Sequence, residues 1–188
     1  MSGGMFLSYE VTMKTVMTLM LCLVLTSHVS GRQGFSEQIP LAIKSSLDSK
    51  FPGWKFPEVR EEIRQFLKQE VSADARPEVI AGDFDGNELT DYALIIEHGK
   101  LLNERGEAIG INAHLVVYLN RGGKYKFYEL DDPGEYLVLG RKGTNGFDFK
   151  ADKKFKYEND SIEVGIFEKA GWTYVYENGK FRYIYSID

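Results

Sequence analysis

The sequence predicts an α+β domain in which two N-terminal helices pack on a mainly antiparallel β-meander sheet. Three observations lead there. Between residues 36 and 72 apolar side chains recur at helical spacing. Beyond Pro77 the texture changes to short β-branched and aromatic runs. Clusters of Gly, Asn and Asp divide those runs, so consecutive strands fold back as neighbours and the helices come first.

The order of elements begins with a leader. From Met13 the chain reads MKTVMTLMLCLVLTSHVSG. Lys14 supplies a positive start, Val16 to Leu25 an apolar stretch, and small or polar residues follow. That is the layout of a secretory signal peptide over residues 1–31, with translation starting at Met1 or at Met13. The stretch is shorter than the ~20 apolar residues of a spanning helix. The expectation is therefore an exported protein, periplasmic or secreted, with no membrane span in its mature chain. Cys22, the single cysteine, leaves with the leader, which takes disulfides and thiol chemistry with it.

Residues 32–188 then form a single domain, with a helical part at 36–72 and a β part at 77–188. Ile39, Ile43 and Leu47 mark the first helix. Val59, Ile63, Phe66 and Leu67 mark the second, with Pro57 near its start and Glu58, Glu61 and Glu62 at the positive end of its dipole. Phe51-Pro52-Gly53-Trp54 separates the two. Strands are expected around Ile80 and over 92–96, 111–119, 125–130, 136–139, 162–167, 172–176 and 181–185. Asn120-Arg121-Gly122-Gly123 and Asn178-Gly179 read as hairpin turns.

Composition narrows the function. The chain has 188 residues, 23 Lys plus Arg against 28 Asp plus Glu, and a net charge of −5. That balance argues against a nucleic-acid binder, which needs a basic face. No nucleophile elbow, zinc-protease helix or phosphate-cradling glycine loop is present. His98 and His114 are the histidines left after the leader, and neither sits in a catalytic pattern. A hydrolase without a recognisable motif ranks third among the readings, behind the two that follow.

The segment with the most chemistry is Asp83-Phe84-Asp85-Gly86-Asn87-Glu88-Leu89-Thr90-Asp91. Counting Asp83 as position one, side-chain oxygens fall at one, three, five and nine, on Asp83, Asp85, Asn87 and Asp91. The backbone carbonyl of Leu89, at position seven, can complete the set. A hard divalent cation takes six to eight oxygens, and Ca²⁺ accepts the irregular geometry of a short loop. Position six is Glu88 where the sharp turn favours Gly, and position twelve is Leu94, so the bidentate Glu of an EF-hand is missing. DFDGNELTDYALI resembles the calcium-binding loop of FG-GAP and VCBS repeats. More loosely, the mature chain is similar to bacterial exported proteins of unassigned role that carry one such loop. The resemblance implies Ca²⁺ held by Asp83, Asp85, Asn87 and Asp91 with the Leu89 carbonyl. With one copy of the loop, the propeller fold and adhesion role of the repeats are not implied. The first functional reading is thus an exported, non-enzymatic domain with one structural Ca²⁺.

The alternative lies in the last hairpin. An Asn178-Gly179 turn sets Tyr176 opposite Phe181, Tyr174 opposite Tyr183 and Trp172 opposite Tyr185, all on one face. Such a row is either a core face or a stacking platform for a glycan or an extended peptide.

Overall fold

The computed structural model describes residues 39–187. The leader expected over residues 1–31 lies outside the described residues. Helix α1 spans Leu41–Lys50 and α2 spans Glu61–Glu70. Ten strands follow: β1 Val79–Gly82, β2 Asp91–Leu102, β3 Ala108–Asn120, β4 Tyr125–Leu130, β5 Tyr136–Gly140, β6 Asn145–Asp148, β7 Lys153–Lys156, β8 Ser161–Ile166, β9 Ala170–Glu177 and β10 Lys180–Ile187.

These elements overturn the expected α+β layout. Strands hold 47% of the described structure and helix only 14%, so the fold is mostly β. The strands form two four-stranded antiparallel sheets, ordered β1-β2-β3-β4 and β10-β9-β8-β5, with β6-β7 as a separate hairpin. The helical stretch is shorter than the apolar spacing suggested. Proline and glycine end α1 at Phe51, Lys55 then pairs with Glu97 in a β-bridge, and α2 begins only after Arg60. Two helices of ten residues cannot cover a sheet of this size, and the main core forms between the two sheets instead.

That core joins Phe84 of the β1–β2 loop and Ala93, Ile95, Leu115, Val117 and Leu119 of the first sheet to Leu137, Ile162, Val164, Trp172 and Tyr174 of the second. β2 explains how the first sheet serves two layers. Its residues Asp91 to Ile96 are all buried, the mark of a strand covered on both faces. Ala93 and Ile95 point to the other sheet, whereas Tyr92, Leu94 and Ile96 point the opposite way, to Ile43 and Leu47 of α1 and to Phe51 just after it. Tyr118 donates to Ser46 at 3.2 Å and ties α1 to that face. Helix α2 packs elsewhere, with Ile63 and Leu67 against Tyr136, Val138 and Phe167 beside the second sheet. The helices therefore do not share one sheet face.

The two sheets meet at β1 and β5, where the Leu137 N–H donates to the Pro77 carbonyl at 2.7 Å. At the other end of β1 the contact reaches Gly82, where an added Cβ would lie 2.8 Å from Leu139 Cδ1 of β5, next to the loop that joins β1 to β2.

Candidate metal centre

Loop 83–90 closes a tight hairpin, because β1 and β2 pair antiparallel with Gly82 opposite Asp91. The chain needs two left-handed residues to turn there. Gly86 has φ +75° and Glu88 has φ +65°, so the position where an EF-hand uses Gly carries a strained Glu.

The turn gathers Asp83, Asp85 and Asp91. One carboxylate oxygen from each lies within 4.8 Å of the others, so this group could hold a metal ion. Nearby N–H groups fix the three side chains. Asp83 accepts from Asn87 N–H (2.9 Å) and Glu88 N–H (3.0 Å). Asp91, fully buried, accepts from Phe84 N–H (2.9 Å) and Asn120 N–H (2.6 Å). Asp85 is sealed as well, its side chain 1% exposed, and Arg121 Nη1 stands 2.7 Å from its Oδ2.

The electrostatics follow from this crowding. Burial pushes the Asp91 carboxyl up to about 6, partly offset by the Asn120 N–H, and the charges of Asp85 and Asp83 add to the rise. Three acids face one guanidinium, which leaves the group two charges short of neutrality. A divalent ion held there would supply that deficit.

The other two expected ligands are placed differently. Asn87 turns its Oδ1 back to the Leu89 N–H (2.8 Å) and donates from Nδ2 to the Asn120 carbonyl (2.8 Å). It locks the loop to the β3–β4 turn. Leu89 lies at the exposed outer side of the loop.

Sequence spacing missed three contributors. Arg121 and Asn120 come from the β3–β4 turn. Asp160 arrives from before β8: its Oδ2 accepts from Asp83 N–H (3.1 Å), its Oδ1 accepts from Lys142 N–H (2.9 Å), and its own N–H donates to the Asp83 carbonyl (3.2 Å). Asn159 sits so close that a Cβ on Gly86 would lie 2.5 Å from its Oδ1. The only local signal for these residues is their turn-forming type, which says nothing of the loop they meet.

The aromatic hairpin has the register read from its turn. Tyr176 faces Phe181, Tyr174 faces Tyr183 and Trp172 faces Tyr185. Asn178 and Gly179 take φ +52° and +83°. Trp172 and Tyr174 are 6% and 5% exposed and belong to the inter-sheet core, while Tyr183 is 46% exposed. The Tyr174 hydroxyl donates to the Asp131 carbonyl, and Tyr176 and Tyr128 hydroxyls meet at 3.1 Å. Tyr176 and Tyr185 are half-buried. The rings of Trp172 and Tyr174 therefore face protein. The chain matches no protein-family model, no curated protein and no solved structure.

Proposed function

We propose that this is an exported domain that binds one Ca²⁺ ion at the Asp83–Asp91 loop, and that the ion's role is structural or in interaction with a partner. The observation that carries the reading is the convergence of Asp83, Asp85 and Asp91 within 4.8 Å at spacings suited to oxygen coordination. The donors are hard oxygens, with no histidine or thiol among them, which favours Ca²⁺ or Mg²⁺ over zinc or copper. An irregular loop suits Ca²⁺ better than the strict octahedron of Mg²⁺. The ion would neutralise the acids where β1, the β3–β4 turn and the Asp160 segment meet. It would thereby pin both sheets at one corner. Three carboxylates, one already paired with Arg121, and no bidentate ligand imply weak binding, with Kd on the order of 10⁻⁴–10⁻³ M.

A thermal melt of the full chain tests this in Ca²⁺, in Mg²⁺ and in chelator. Binding to the folded state adds RT ln(1 + [L]/Kd), so a tenfold excess over Kd contributes ~1.4 kcal/mol. That is a rise of about 2–4 °C with Ca²⁺ for each kcal/mol. Asp83→Asn and Asp85→Asn should abolish the rise. Equal melting in Ca²⁺ and chelator at saturating ion would sink the proposal.

A further inference from the structure

A second polar cluster lies away from the acidic loop, on the face of the second sheet turned from the main core. Glu163 of β8 stands there between Val138 and Thr173 on the neighbouring strands. Tyr157, 5% exposed, donates to Glu163 Oε1 at 3.1 Å. Burial pushes the Glu163 carboxyl up, and the Tyr157 bond only partly offsets it. No cation lies within ion-pair distance of Glu163 among the described residues. A carboxylate drawn out of water without a counter-charge is a cost that packing alone does not explain.

The hydrogen bonds leave this cluster with one free acceptor and one free donor. Tyr157 spends its proton on Glu163 Oε1, and Oε2 has no hydrogen-bond partner among the described residues. Thr173 spends its proton on Ser186 Oγ at 2.9 Å, and the Ser186 hydroxyl proton has no acceptor among the described residues. Glu163 and Ser186 both line a cavity of about 340 Å³ under the β6–β7 hairpin. Asn145, Phe147 and Lys154 of that hairpin form the opposing wall.

We propose that this cavity binds a small neutral polyhydroxyl molecule the size of one sugar ring. Its lining holds one acid, Glu163, and one base, Lys154, neither in an ion pair among the described residues, so the walls sum to zero charge and suit an uncharged ligand. A ring hydroxyl donates to Glu163 Oε2 and another accepts from Ser186. Asn145 offers both a donor and an acceptor, and Phe147 offers an apolar surface to the C–H face of the ring. The volume lies at the lower end for small-molecule sites, which limits the occupant to about one ring. The site is independent of the acidic loop and of its ion.

Nitrogen–proton correlation NMR of the full chain tests it, with D-glucose, D-galactose and N-acetyl-D-glucosamine titrated separately into the millimolar range. Methylammonium chloride and sodium phosphate serve as charged probes. At least one sugar should shift the amides of Gly146, Glu163 and Ser186 saturably. Glu163→Gln and Ser186→Ala should each weaken that binding about fivefold, the worth of one hydrogen bond. Ser186→Ala removes a hydroxyl from a half-buried wall and keeps the test open if Glu163→Gln perturbs folding. No shift with any sugar, shifts with a charged probe alone, or sugar binding unchanged in both variants would each overturn the proposal.

Discussion

Gly86→Ala probes the acidic loop most directly, because two separate consequences of the geometry meet at one atom. Gly86 has φ +75°, where an L side chain costs about 1–2 kcal/mol. The reduced freedom of the unfolded chain returns about 0.4–1 kcal/mol of that. The added Cβ would also lie 2.5 Å from Asn159 Oδ1 and 3.0 Å from its Cγ. Displacing Asn159 in a packed corner adds a cost on the order of 1–2 kcal/mol. The net loss is about 2 kcal/mol, which lowers Tm by roughly 4–8 °C. Asn159 precedes Asp160, whose backbone and carboxylate both bond Asp83. The same methyl should therefore blunt the calcium response. Gly99→Ala is the internal control: Gly99 has φ +77° but nothing within 4 Å of its added Cβ, so it reports backbone strain alone. Melts of both variants in Ca²⁺ and in chelator separate the two terms. If Gly86→Ala melts like Gly99→Ala, with the calcium response intact, then the loop is not seated under Asn159 and the reasoning fails.

Other substitutions read the remaining parts of the architecture. Glu88→Gly relieves a strained left-handed residue at φ +65°; thermal melts in chelator should show a gain of up to ~1 kcal/mol, and a loss would contradict the turn geometry. Arg121→Gln strands the sealed Asp85 carboxylate; with Arg121 itself 43% exposed, the cost in chelator is only about 1–2 kcal/mol, and Ca²⁺ should recover more stability than in the wild type. Equal calcium shifts in both proteins would show that the guanidinium and the ion do not share Asp85. Glu163→Gln tests burial of the second cluster. The folded Glu163 pKa is raised above the ordinary 4.5, so its contribution is fully present below 4.5 and is lost as pH rises through the folded value. Denaturant titrations should show a shallower decline of stability across that window in Glu163→Gln; an unaltered slope would refute the raised pKa. In a Trp54→Phe background, Trp172 at 6% exposure should emit at the blue end of the tryptophan range, and emission like that of free tryptophan would place it outside the core.

Much of the strand order was legible because local chemistry dictates it. Asn178-Gly179 can supply positive φ at both turn positions, and once it does, the pairing of Trp172 with Tyr185 follows by counting. The loop was legible for a similar reason: Asp83, Asp85 and Asp91 lie within nine residues of one another, so their spacing alone brings them together. The helical part was harder to read. Val59 sits on an apolar stripe and is buried, yet it precedes α2, since an apolar period records burial whatever the backbone does. The β6–β7 hairpin escaped notice altogether. Its strands of four residues, NGFD and KKFK, are too short and polar to stand out from a loop.

Sequence alone determined the turns, the strand runs and the acidic spacing, because each is set by residues a few positions apart. Tertiary structure alone decided that the strands split into two facing sheets, that Trp172 and Tyr174 fill the space between them, and that Arg121 and Asp160 close around the loop. Asp160 lies 77 positions from the Asp83 N–H it accepts, and Arg121 stands on a different hairpin from Asp85. Such contacts depend on which faces the sheets bury against each other. An alternating or aromatic run in one strand states that a face is apolar, but not which face of which partner will cover it.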